Sequence, residues 1–171
     1  MRKTFLGVML LSLALFSCKE QAATGNYNVI PLPLEIVEGE GEGFLLNSKT
    51  SIVYEGDEVM KRNAEHLSGY IKDLTGLELE VTDSKKENAI RIAVAEADDN
   101  SEAYRLTVDN NGVNITGASA AGVFYGIQTL RKSIPAGAGE VLLPAVTIND
   151  SPRFSYRGAH LDVSRHYFTP D

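Results

Sequence analysis

A chain of 171 residues, 43% hydrophobic and 23% charged, has the length and composition of one globular domain. Its net charge of −7 argues against nucleic acid as a partner, because gripping phosphates takes clustered Lys and Arg. One cysteine excludes an internal disulfide, and three histidines without clustered carboxylate or cysteine partners predict no metal site. There is no phosphate-binding glycine pattern, and no cofactor is expected.

Residues 1–17 have the form of an export signal. Arg2 and Lys3 precede an apolar run from Phe5 to Phe16, which is too short to span a bilayer as a helix. Leu15-Phe16-Ser17-Cys18 resembles a bacterial lipobox, so Cys18 is expected to carry lipid; the alternative is a buried or incidental thiol. The protein is then expected to be exported and to sit on a membrane by that lipid, in the periplasm or at the outer membrane. Residues 18–26 are small and polar and read as a tether.

Ile30-Pro31-Leu32-Pro33 is expected to be extended, since each proline blocks helix and biases its predecessor toward β. Phe44-Leu45-Leu46 and Ile52-Val53-Tyr54 predict two short strands. From Val59 to Thr75, apolar residues at Val59, Leu67, Tyr70, Ile71 and Leu74 fall near a 3.6 period and predict a helix that Gly76 stops. Asp57-Glu58, just before it, reads as a cap and a first-turn acid. Leu77 to Val81 and Ala89 to Ala95 alternate like half-buried strands. Tyr104 to Val108 and Val113 to Thr116 flank Asp109-Asn110-Asn111-Gly112 and predict an antiparallel hairpin whose turn tolerates positive φ. Ala118 to Ser133 predicts a second helix. Gly122 and Gly126 lie on one of its faces, and they cost helix stability unless the backbone must approach something closely. Leu142 to Ile148 predicts a final strand. The expected architecture is α+β, a mostly antiparallel sheet with two helices on one face.

The end of the chain, Asp150 to Asp171, reads DSPRFSYRGAHLDVSRHYFTPD. Asp150, Pro152, Arg153, Phe154, then Arg157-Gly158, then Leu161, Asp162, Arg165 and His166 resemble the opening of the catalytic barrel of family 20 glycoside hydrolases, the β-N-acetylhexosaminidases. Ile30 to Pro33, Glu102 to Thr116 and Gly122 to Leu130 resemble, in the same order, the non-catalytic domain that precedes that barrel. The resemblance implies a division into signal peptide 1–17, tether 18–26, non-catalytic domain 27–148 and the start of a (β/α)₈ barrel at 149–171. A whole barrel takes roughly 250 residues, so the chain reads as the front part of a longer enzyme. That enzyme would remove terminal β-linked N-acetylglucosamine or N-acetylgalactosamine from glycans, with the substrate's acetamido oxygen as nucleophile and an adjacent Asp-Glu pair assisting. Asp57-Glu58 has no barrel context, so no catalytic residue is expected in this chain and the chain alone is expected to be inactive.

Arg157 matches the family's arginine that holds hydroxyls of the terminal sugar, a task suited to planar paired donors. A salt bridge on the barrel floor is the competing role. Asp162, Arg165 and His166 at the expected strand end either support that site or form a structural ion-pair network. The second functional reading is a non-catalytic, carbohydrate-associated lipoprotein module.

Overall fold

The computed structural model describes residues 22–95, 99–137 and 139–162. Its strands are β1 (Ala23–Thr24), β2 (Glu35–Glu38), β3 (Phe44–Leu46), β4 (Ser51–Tyr54), β5 (Glu80–Thr82), β6 (Ala89–Val94), β7 (Tyr104–Asp109), β8 (Gly112–Gly117), β9 (Val141–Leu143) and β10 (Val146–Asp150). Helix α1 (Glu58–Thr75) follows β4, and α2 (Ala120–Ser133) follows β8.

Seven strands form the main sheet in the order β2-β10-β7-β8-β6-β4-β5. The sheet is mixed. From β2 to β8 the pairings are antiparallel. From β8 to β5 they are parallel. The parallel pairing of β4 with β5 follows from α1, because a helix between them returns the chain to the same end of the sheet. A small sheet, β1-β9-β3, completes the body. The single final strand expected from Leu142 to Ile148 is two strands. Pro144 and Ala145 divide it, so β9 serves the small sheet and β10 the large one. Ala23–Asn26, expected within the tether, joins the fold: the amides of Gly25 and Asn26 donate to the carbonyls of Leu142 and Ser133.

Alternation along the strands sends Leu106, Val108, Val113, Ile115, Ile90, Ile92, Ile52, Val146 and Ile148 into one core. The opposite face carries Thr147, Thr107, Asn114 and Arg91 in adjacent register. Helix α1 starts where the Asp57 side chain accepts from the amides of Val59 and Met60 at 2.9 and 3.2 Å. It ends at Gly76, whose φ of 77° is a left-handed cap. Met60, Ala64, Leu67 and Ile71 form its buried stripe, while Val59, expected on that stripe, is exposed in the first turn. Helix α2 starts at the Ser119 cap, two residues later than the periodicity predicts. The Asn63 side-chain amide donates to Ala120 O at 2.9 Å and ties the two helices together on one face of the sheet.

The positive φ of the hairpin turn falls on its glycine: Gly112 has φ 149°, no non-glycine residue among the described ones has positive φ, and Asp109 accepts from the Asn111 amide at 2.7 Å. Gly112 is needed because a Cβ there would stand 2.5 Å from Ala89 O on β6.

The two helical glycines have the role their spacing suggests. A Cβ on Gly126 would stand 2.5 Å from Ile115 Cγ2 and 3.1 Å from the Tyr104 ring, and one on Gly122 would overlap the Ala103 carbonyl oxygen. Gly126→Ala is therefore expected to destabilise the domain by about 1–3 kcal/mol through overpacking. Gly69→Ala on the exposed side of α1, where a Cβ meets nothing within 4 Å, is expected to stabilise it by about 0.5–1 kcal/mol. Urea unfolding of the two variants beside the parent checks both signs.

Candidate functional site

The sheet ends at Asp150, and four separated stretches of sequence meet there. Asp150 closes β10 opposite Tyr104 of β7. Its Oδ1 accepts from the Leu34 amide, and its Oδ2 accepts from the Tyr104 hydroxyl, both at 3.1 Å. The same hydroxyl lies 2.6 Å from Thr129 Oγ1 on α2. Since Tyr104 gives its proton to the carboxylate, Thr129 must donate to Tyr104. Burial pushes the Tyr104 phenol well above its ordinary range, which keeps it a donor.

Beyond Asp150, residues 151–162 form no strand, contrary to the expected opening strand of a barrel. A strand needs a neighbour for its backbone groups, and this segment has none among the described residues. Phe154, Tyr156 and Leu161 are accordingly exposed. The segment is pinned at intervals. The Asn100 side-chain amide donates to Pro152 O at 3.0 Å. Arg157 reaches back to the body: Nη2 lies 2.9 and 3.0 Å from the two carboxylate oxygens of Glu102 and donates to Tyr125 Oη at 3.3 Å, and Nη1 donates to Phe154 O. Tyr125 also donates to Glu102 Oε1 at 3.0 Å.

The structure places Arg157 in an ion pair with Glu102 of this domain, with its Nη2 protons committed. Asp162 is exposed and belongs to no helix or strand. Arg165, His166 and Cys18 lie outside the described residues. Asp57 caps α1, as expected, and Glu58 sits in its first turn. His66 stacks against Tyr70 and meets Phe124 edge-on, a packing role. Among the described residues, no three His, Cys, Asp or Glu side chains are grouped to hold a metal, and no helix is long and apolar enough to cross a membrane.

Glu35, Arg105, Asn149 and Asp150 border a depression of about 560 Å³ at this end of the sheet. It opens broadly to solvent, so it offers no dry enclosure for bond cleavage. The site can hold and aim the departing chain. Glu102, Tyr104, Tyr125 and Thr129 were assigned no role from the sequence. The available signal was polar groups at apolar positions of amphipathic elements: Tyr104 opens an alternating strand, and Thr129 lies on the buried face of α2.

Residues 26–151 match the family model described as glycosyl hydrolase family 20, domain 2. The chain belongs to glycosyl hydrolase family 20. A β-hexosaminidase of Porphyromonas gingivalis is 37% identical over 98% of this chain, and a β-N-acetylhexosaminidase of Cellulomonas fimi is 33% identical over 84%. The N-acetyl-β-hexosaminidase of Streptomyces plicatus, solved with Thio-NAglucal, superposes with a TM-score of 0.71 at 35% identity over 82% of the chain. The family 20 chain spans 24% and 30% of the two sequence relatives and 29% of the solved one. Its two helices on a mixed sheet are thus the fold of one domain of these longer proteins.

Hydrogen bonds from Arg157 and then Tyr125 hold the Glu102 carboxyl below its ordinary value of 4.5. The contact is therefore complete above that value and is lost as pH falls through the lowered one. Trypsin cleavage after Arg157 is expected to be severalfold faster in Glu102→Gln at neutral pH. The domain's unfolding midpoint should stay unchanged, because an exposed ion pair contributes little to global stability.

Proposed function

We propose that this chain is the non-catalytic front of an exo-β-N-acetylhexosaminidase that removes terminal β-linked N-acetylglucosamine or N-acetylgalactosamine from glycans. One observation carries the reading: almost the whole chain aligns with a β-hexosaminidase of which it covers only 24%. The chemistry would be substrate-assisted, with the acetamido oxygen attacking the anomeric carbon and an Asp-Glu pair orienting it and moving the proton. That pair must come from outside this segment, because the one Asp-Glu dipeptide in the sequence, Asp57-Glu58, is a helix cap.

What this segment supplies is a rigid base and a defined point of departure for the chain. Arg157 would leave Glu102 once the barrel supplies its strand and would then use its fork of donors on two sugar hydroxyls. Asp162, Arg165 and His166 would support that strand end. Residues 1–17 would direct export, and lipid on Cys18 would hold the protein to a membrane in the periplasm or at the outer membrane.

Purified residues 19–171 are expected to release no nitrophenol from p-nitrophenyl N-acetylglucosaminide above a blank. The polypeptide continued through the barrel should turn the substrate over, with KM raised at least tenfold by Arg157→Ala. Turnover by residues 19–171 alone would overturn the assignment. Labelling with radioactive palmitate should mark the parent and not Cys18→Ser.

A further inference from the structure

We propose that Asp150 is a positioning residue for the hexosaminidase reaction: its carboxylate ends the sheet and fixes the direction in which the chain leaves toward Arg157. The proposal deepens the reading above and rests on it.

The argument begins with the last rung of the sheet. β2 and β10 pair as far as Glu35 opposite Asn149. The next rung would set Leu34 opposite Asp150. The two prolines just upstream, Pro31 and Pro33, have no amide proton to extend a ladder. The Asp150 side chain takes over at this point and accepts the Leu34 amide in place of a backbone carbonyl. Its other oxygen accepts from Tyr104, which is 5% exposed, and Tyr104 accepts from Thr129, which is 8% exposed. One carboxylate thereby joins the segment before β2, strand β7 and helix α2 at the residue where regular structure stops.

Residues 151–162 form no helix or strand, so the orientation of the departing chain is set by its anchors. The Glu102 anchor is looser: its ion pair with Arg157 is partly exposed and would be given up when Arg157 turns to a sugar. Asp150 keeps its partners in both situations, because Leu34, Tyr104 and Thr129 all belong to this domain. Six residues separate it from Arg157, so a small change of direction at Asp150 is carried as a displacement of the guanidinium. Misplacement by about 1 Å can cost a hundredfold in rate.

The test uses Asp150→Ala, Asp150→Asn and Tyr104→Phe, each in two polypeptides. In the 171-residue chain, Asp150→Ala should speed exchange of the Leu34 amide and trypsin cleavage after Arg153 at least tenfold while α1 and β4 stay protected as in the parent. In the polypeptide continued through the barrel, it should raise KM for p-nitrophenyl N-acetylglucosaminide about tenfold with a smaller change in kcat. Asp150→Asn, which keeps an acceptor for Leu34, should recover most of that loss, and Tyr104→Phe should fall between. Parent-like KM and parent-like exchange in Asp150→Ala overturn the proposal. If Asp150→Ala fails to fold, Tyr104→Phe decides it: parent-like KM and parent-like exchange there overturn it. An inactive parent polypeptide would sink the hexosaminidase reading instead, and the exchange pattern of the 171-residue chain would still judge Asp150.

Discussion

The closeness of α2 to the sheet is the constraint on which the rest depends. At Gly122 and Gly126 the helix has no side chains to hold it off, and it settles against Ala103, Tyr104 and Ile115. That approach brings Thr129 within reach of the Tyr104 hydroxyl, and through it within reach of the carboxylate at the sheet's end. The same seating lets Asn63 of α1 reach the first turn of α2, so the position of one helix sets that of the other. A methyl group on Gly126 would open a gap along a whole row of core contacts, and packed interiors tolerate such gaps poorly.

Much of this was legible in the sequence because it follows from local rules. The period of Leu67 and Ile71, the Asp57 cap and the Gly76 stop mark α1 without any tertiary knowledge. Alternation marks β6, β7 and β8, and the paired glycines of α2 announce a close contact even though they do not say with what. Departures came where partners are remote. β2 carries Ile36 and Val37 between two glutamates, a weak strand signal, and it forms because β10 lies beside it from more than a hundred residues away. Ala23–Thr24 looked like linker because two small residues carry no pattern; β9 gives them their ladder. The parallel half of the sheet likewise reflects strand order, which no local period encodes.

The site shows the same division. Asp150 and Arg157 were visible as members of a motif, but their partners Tyr104, Glu102, Tyr125 and Thr129 are separated from them by between 21 and 55 residues and meet them only through the packing of β7, β10 and α2. The motif suggested a sugar contact for Arg157. In this chain the nearest carboxylate claims it, because a mobile cation beside a partly shielded acid and a phenol finds its partners there.

Strand order also governs how this domain can come into being. β10 lies between β2 and β7, so an early strand of the main sheet waits for its last one. A chain emerging N-terminus first can form α1 and the β7–β8 hairpin while it lengthens, since their contacts are local. β2 has no neighbour until residues 146–150 arrive and fill the space beside it. Closure of the sheet is thus tied to delivery of the segment that links this domain to whatever follows. Until then Ile36 and Val37 lie on an unpaired edge, bracketed by Glu35 and Glu38, whose charges discourage a second emerging chain from occupying the place kept for β10.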